Sequence, residues 1–306
     1  AKQSDRPHLP YEFSIVNDSS WNAWALPGGK IAINRGLLES MRNESELAAV
    51  LAHEIVHAAA RHSAQQMERG MWMQVGILGL TLAVEEDLQS VLYDTGSLAA
   101  GITMLKYSRD AESESDFYGM KYMKAAGYDP TGAVTLQELF AENLDSAGGW
   151  LASHPASIQR VRDNREALKD FTSEGYLGAA EYRIRTRRLR ERAPAYALYE
   201  QGTKALKNND AHQALRLSLQ ARNLVPEEAL FYALSAEAYE KMGKTEAAVP
   251  AWDQALQRNP EWFYFYLRRG MVHEKLGNRK AAATDYQKSY RLLPTKEAEQ
   301  GLRKNQ

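Results

Sequence analysis

The chain has 306 residues, 44% of them apolar and 25% charged, values that predict about two domains, each folded around its own core. Lys and Arg number 38 against 39 Asp and Glu, a net charge of −1, and this balance excludes a strongly basic nucleic-acid binder. With no cysteine, the chain can carry no disulfide, thiolate metal site, iron–sulfur cluster or cysteine nucleophile.

The charge is uneven along the chain. Residues 1–192 carry a net −5 and residues 193–306 a net +4, so the two parts differ in sign while neither becomes a polyanion-binding surface. No charged segment leading into an apolar run opens the sequence. Ala1 to Pro10 therefore reads as a mature end from which a secretion signal has been removed. The longest uncharged stretch, Gly70 to Val84, has 15 residues, short of the roughly 20 that span a bilayer.

In chain order, the first 42 residues read as β. Tyr11–Asn17 alternates loosely, and Trp21–Leu26 and Lys30–Asn34 flank Pro27-Gly28-Gly29, a hairpin signal. After Asn34 the pattern turns helical, so this part is α+β: a small sheet plus helices. Asn43 with Glu46 forms a capping box that opens a helix through Leu47, Val50, Leu51, Ile55 and Ala58.

That helix carries His53-Glu54-Ile55-Val56-His57. Four residues are just over one helical turn, so both imidazoles leave the same face about 6 Å apart. This suits two ligands of a tetrahedral zinc ion, with Glu54 about 100° round the helix, within reach of a water on the ion. Two surface histidines would not require the apolar flank Ala48-Ala49-Val50-Leu51-Ala52; a metal site on a buried helix does. The metzincin extension is excluded, because Ala60 and Ser63 stand where glycine and histidine would be needed.

Residues 70–106 hold two apolar stretches, Met71–Val84 and Leu98–Leu105, interrupted by Gly76, Gly79, Glu85 and Glu86. They predict a helical hairpin over the cleft, with peripheral membrane contact as the alternative. Ser108 caps the next helix, which ends near Gly127, and Asp129-Pro130 starts another. On the Ser108 helix, Glu112 and Asp116 share a face at i,i+4. One can be the third ligand while the other holds a ligand histidine; an acidic first turn complementing the helix dipole is the plainer account of the same residues.

Six arginines between Arg183 and Arg192 predict a solvated helical connector whose charges pair with acidic surface, with Pro194 as the seam. Beyond it the chain repeats. Pro226, Pro260 and Pro294 are 34 residues apart, as are Gly202, Ala236 and Gly270, and Ala214, Ala248 and Ala282. Three helix–turn–helix units follow, 195–228, 229–262 and 263–296, with small residues where paired helices approach and a proline ending each second helix. They resemble an all-α tetratricopeptide array. The expected organisation is a domain over 1–180, a connector over 181–194, and the repeats with a short tail over 195–306.

A wider resemblance covers about Tyr11 to Lys169. Asn22-Ala23-Trp24-Ala25-Leu26-Pro27-Gly28-Gly29, His53-Glu54-Ile55-Val56-His57 with Arg61-His62, Ser108-Arg109 with Glu112 and Asp116, and Ala126-Gly127-Tyr128-Asp129-Pro130 fall in the order of the CAAX-prenyl-protease, HtpX and Oma-type zinc metallopeptidases. With repeats in the same chain, the sequence is most similar to the BepA-like periplasmic branch. The resemblance implies a zincin-like fold, one Zn2+ per chain on His53, His57 and Glu112, Asp116 behind a ligand histidine, and Glu54 as general base. It also picks out His154 of Ser153-His154-Pro155 as a residue that reaches the zinc and holds the enzyme latent, or donates to the oxyanion. The plainer account makes His154 the cap of a helix opened by Pro155. His62 reads as a packing or surface residue, and His8, His212 and His273 carry no site.

The implied activity is metalloendopeptidase cleavage of unfolded or misassembled proteins in envelope quality control, in the periplasm. Substrate would add as a strand beside Lys30–Asn34, and the repeats would recruit a partner such as outer-membrane assembly machinery. A non-proteolytic assembly factor with a latent zinc domain is the rival, opposed by the retained Glu54. An aminopeptidase lacks an acidic group to capture the substrate amine.

Overall fold

The computed structural model describes residues 1–66, 68, 107–154, 158–171 and 174–305. The hairpin or membrane contact expected of 70–106, and Pro155, lie outside the described residues. The chain forms two compact units, Ala1–Arg187 and Arg188–Gln306.

The first unit opens with a three-stranded sheet of β1 (Glu12–Val16), β2 (Ala23–Leu26) and β3 (Lys30–Asn34) in the order β1-β3-β2. β2 and β3 form the expected hairpin. Gly28 and Gly29 take φ of 89° and 87° at its turn, a left-handed region that only glycine enters freely. β1 pairs parallel to β3 on the other side, from Glu12 opposite Lys30 to Val16 opposite Asn34. This corrects the expectation that Lys30–Asn34 accepts an added strand. β3 is central and both its edges are filled; among the described residues, the edge beside the helices that has no strand partner belongs to β2. Asn34 N–H donates to the Asn22 carbonyl, which makes Trp24–Ala32 and Leu26–Lys30 the hydrogen-bonded pairs. Ala23 and Ala25 therefore turn their backbone groups outward.

Helix α1 (Arg35–Ser40) leads to α2 (Glu44–Ala59), which is buried on nearly every face between β2, α3 (Arg109–Ala125) and α4 (Thr131–Glu142). Asn43 caps α2 by accepting the Glu46 N–H at 2.9 Å. The other half of the box is displaced by one residue. Glu46 accepts the Arg42 N–H at 2.7 Å rather than that of Asn43, and also takes the Arg42 guanidinium and the Thr135 hydroxyl. Ser108 Oγ caps α3 at Ala111 N–H. Then come α5 (Gly148–Ser153) and α6 (Ile158–Ala167), a short 3-10 turn (Leu168–Asp170) and α7 (Ala179–Arg185), whose Tyr182 hydroxyl anchors to the Leu38 carbonyl.

The second unit consists of the helix pairs α8 (Arg187–Lys207) with α9 (Ala211–Leu224), α10 (Ala229–Lys241) with α11 (Thr245–Arg258), and α12 (Phe263–Lys275) with α13 (Arg279–Leu292), closed by α14 (Lys296–Asn305). Ala214, Ala236, Ala248 and Ala282 are fully buried where these helices approach one another. Pro194 does not form a seam. It lies inside α8, where the hydrogen bond it forgoes is offset by burial of Ala195 and Tyr196 against Phe231 of the next repeat. The arginines before it pair as expected of a solvated stretch, Arg185 with Glu181 and Arg192 with Glu227. Among the described residues no helix is long and apolar enough to cross a membrane.

The approach of α4 to α2 sets where the site's walls stand. At Gly132 a Cβ would come within 2.4 Å of Ser45 Oγ and 2.6 Å of the Ser45 carbonyl. Gly132→Ala is expected to destabilise the first unit by about 1–3 kcal/mol, whereas Gly148→Ala, with nothing within 4 Å, changes stability by about 1 kcal/mol or less. Urea unfolding of both variants checks the difference.

Candidate metal centre

Three parts of the first unit converge on one buried cluster. α2 supplies His53, Glu54 and His57 from adjoining faces, α3 supplies Glu112 and Asp116 from one face, and His154 comes from the end of α5. His53, His57, Glu112 and His154 each offer one donor atom, all within 4.8 Å of one another. His53 Nε2 is 3.0 Å from His57 Nε2 and 3.3 Å from His154 Nδ1; Glu112 Oε1 is 3.3 Å from His57 Nε2 and 2.9 Å from His154 Nδ1. A tetrahedral ion with bonds of 2.0–2.2 Å separates its ligand atoms by about 3.3–3.6 Å. The donor set, nitrogen and carboxylate oxygen, and its spacing fit such an ion.

Charge leads to the same conclusion. Glu54, Glu112 and Asp116 are all buried here, and among the described residues Arg160 of α6 is the one guanidinium beside them. With the histidines neutral and the carboxylates ionised, the cluster carries two excess negative charges, which a divalent cation cancels. Burial without such compensation is costly.

Each α2 histidine is held through the nitrogen that faces away from the cluster. His53 Nδ1 lies 3.0 Å from Asp116 Oδ1 and donates to it, leaving Nε2 free to face the cluster. His57 Nδ1 meets His62 Nδ1 at 3.0 Å, and His62 Nε2 stands 3.5 Å from Glu114 Oε2. His62, read from the sequence as a packing or surface residue, is buried and packs against the ring of His57, where it supports the site. Arg61, with φ of 62°, turns the chain back after α2 and brings His62 against the helix it has just left.

Arg160 grips both acids of α3. Its Nη1 is 2.6 Å from Glu112 Oε2, and its Nε and Nη2 each lie 2.8 Å from Asp116 oxygens. Burial by itself would raise both carboxyls. His154 and His53 hold Glu112 far below the carboxylate range, and His53 with Arg160 brings Asp116 down to about 2. Burial would lower His53, but Glu112 and Asp116 override it and hold the ring up to about 10. His57, with burial dominant, is pushed well down and stays neutral. Burial raises the Glu54 carboxyl, tempered by His154 and His53. Among the described residues neither Glu54 oxygen accepts a well-formed hydrogen bond; His154 Nε2 is 3.4 Å from Oε1, and the Ala25 amide of β2 faces the carboxylate.

His154 is fully buried, stacked on Trp150 at 4.1 Å and beside Tyr107. The helix it caps is the one before it: its N–H donates to the Trp150 carbonyl at the end of α5. Tyr107 also stacks on His57 at 3.8 Å, and its hydroxyl meets Ser63, which donates to the Ala25 carbonyl. Arg160, Tyr107 and Trp150 escaped the sequence reading because none falls in a spaced motif; His62, beside Arg61 in the quoted pattern, did carry a signal.

Residues 1–168 match peptidase family M48, and 229–261 and 263–295 match the tetratricopeptide repeat family. The chain is 34% identical over 155 residues to "Mitochondrial metalloendopeptidase OMA1" of Arabidopsis thaliana, covering 50% of this chain and 31% of that one. It is 31% identical over 167 residues to "Beta-barrel assembly-enhancing protease" of Escherichia coli (strain K12), covering 51% of this chain and 34% of the other. The chain thus spans about a third of the length of these two relatives. Among solved structures, the Arabidopsis OM64 TPR domain is similar at 24% identity and a TM-score of 0.37, covering 38% of this chain and 97% of that one.

Chelation is expected to lower the thermal midpoint of the loaded protein, and added zinc to restore it. Glu112→Ala abolishes tight metal binding, and His62→Ala weakens it about ten- to a hundredfold by freeing the His57 ring. Competition against a chromophoric chelator measures both affinities.

Proposed function

The chain belongs to peptidase family M48, and from that premise we propose that it is a zinc-dependent metalloendopeptidase acting on unfolded or misassembled proteins. The observation that carries this reading is the convergence of four buried donors within 4.8 Å of one another, with the Glu54 carboxylate against them. His53, His57 and Glu112 would hold the zinc, which when bound polarises the scissile carbonyl and acidifies water.

The rest is done by side chains and backbone of this chain. Glu54, raised by burial and free of strong hydrogen bonds, takes the proton of the attacking water and returns it to the leaving amine. Asp116, and Glu114 through His62, fix the two ligand rings so that no reorientation is needed during turnover. An extended substrate pairs with the outer edge of β2, where the backbone groups of Ala23 and Ala25 are buried and partnered at rest and must be uncovered first. The Ala25 carbonyl is held by Ser63, so Ser63 yields when substrate arrives.

His154 takes the fourth donor position and closes the resting site. Its place at the end of the six-residue α5 lets it leave without unfolding a long helix. The same contact favours a second reading, an assembly factor in which the repeats act and the zinc domain stays latent. The repeats supply a surface for a protein partner, and kinship with the assembly-enhancing protease supports a place in the periplasm, in quality control of outer-membrane proteins.

Zinc analysis and casein cleavage on the parent, Glu54→Gln and His154→Ala test the proposal. One zinc per chain is expected in the parent and in Glu54→Gln, with cleavage in Glu54→Gln reduced about 10²- to 10⁴-fold. His154→Ala cleaves faster than the parent. Full zinc with no cleavage by any variant transfers the function to the assembly-factor reading.

A further inference from the structure

Tyr107 has no part in the chemistry above, yet it touches both the donor cluster and the support of the β2 edge. Its ring lies on His57 at 3.8 Å and beside His154 at 5.1 Å, nearly parallel to both. Its N–H donates to the Ser153 carbonyl at 3.0 Å, one residue before His154. Its hydroxyl is 2.8 Å from Ser63 Oγ. Ser63 has a single hydroxyl proton, which goes to the Ala25 carbonyl at 2.9 Å, so Tyr107 is the donor to Ser63.

A continuous path therefore joins the β2 edge to the residue that closes the site. It runs from Ala25 through Ser63 and Tyr107 to Ser153 and His154, and every member is buried. We propose that Tyr107 is a positioning residue that couples the two ends of this path: a substrate strand on Ala25 releases His154, and a peptide too short to reach the β2 edge leaves the site closed. The inference rests on the metalloendopeptidase reading, with substrate on β2 and His154 as the fourth donor at rest.

Hydrogen-bond accounting carries the first half. An incoming strand donates its own N–H to the Ala25 carbonyl, and the buried Ser63 hydroxyl is left without an acceptor, so it turns away. Among the described residues Ser63 is the hydrogen-bond partner of the Tyr107 hydroxyl, which follows it. Packing carries the second half. The ring is stacked against two imidazoles and its main chain is bonded to Ser153, so a shift of the hydroxyl is passed on rather than absorbed locally. His57 is fixed within the long α2, whereas His154 ends the six-residue α5, and His154 is the ring that gives way.

Coupling between two sites is reciprocal, so it can be read as binding, without turnover. The probe is a labelled peptide of about ten residues alternating valine and threonine, a composition that favours strands, and its anisotropy is followed on zinc-loaded Glu54→Gln. Adding His154→Ala, which removes the closing ring, should tighten the peptide by about 5- to 150-fold. Tyr107→Phe keeps the ring and deletes the link. In that background His154→Ala should gain less than about threefold. Ser63→Ala cuts the same link from the other side and should shrink the gain likewise, which serves if Tyr107→Phe does not fold.

A purely structural role for Tyr107 would weaken all variants alike and leave the gain intact, which overturns the coupling. So does the absence of any gain from His154→Ala, or an equal gain for a peptide N-methylated throughout, which cannot donate to Ala25. If the parent cuts no casein while the binding pattern appears, the coupling stands and the metalloendopeptidase reading falls. If casein is cut and the gain ignores Tyr107 and Ser63, the coupling alone falls.

Discussion

The grip of Arg160 on Glu112 and Asp116 is the contact on which the site depends. Two carboxylates one helical turn apart would repel each other in a buried place, and burial alone would protonate them. One guanidinium reaching both offsets that repulsion, while His154 and His53 hold Glu112 ionised and His53 with Arg160 does so for Asp116. Ionised Asp116 can then accept the His53 N–H, and ionised Glu112 can face the two α2 rings. Arg160 therefore acts on His53 through Asp116, and it ties α6 to α3. A lysine there could not bridge both acids, because a single ammonium lacks the planar fork.

The two histidines of α2 are held by different means, although they are four residues apart on one helix. His53 leans on a buried acid, whereas His57 leans on a neutral ring backed by the half-exposed Glu114. The difference appears in their proton affinities, which diverge in opposite directions from the ordinary histidine value. A cation entering the cluster meets one ring that is already neutral and one whose extra proton must leave. The asymmetry comes from α3, which places Asp116 against the first histidine and Glu114 only near His62.

The features legible in the sequence are those written in local periodicity. The His53–His57 spacing, the caps at Asn43 and Ser108, the glycine turn and the 34-residue repeat each depend on residues a turn or a repeat apart, and each is found in the structure. Strand order was not legible, because β1 reaches β3 across the hairpin and nothing in its five residues states which edge it takes. Arg160 was hidden among other surface-looking arginines, since its burial depends on acids more than 40 positions away. Pro194 misled for the opposite reason: a local rule was overridden by packing of the residues after it.

The four convergent donors come from three stretches of chain far apart in sequence, and the chain has no cysteine. An ion shared by His57, Glu112 and His154 would do the topological work of two disulfides, closing loops of about 55 and 42 residues in the chain. Each closure removes conformational freedom from the unfolded chain, on the order of 3–4 kcal/mol by chain-entropy arguments. Unlike a disulfide, this staple can be fitted and withdrawn by exchange with the surrounding solution. Loss of a bound ion would therefore loosen the first unit as reduction loosens a disulfide-bonded one, but reversibly and without a change of oxidation state.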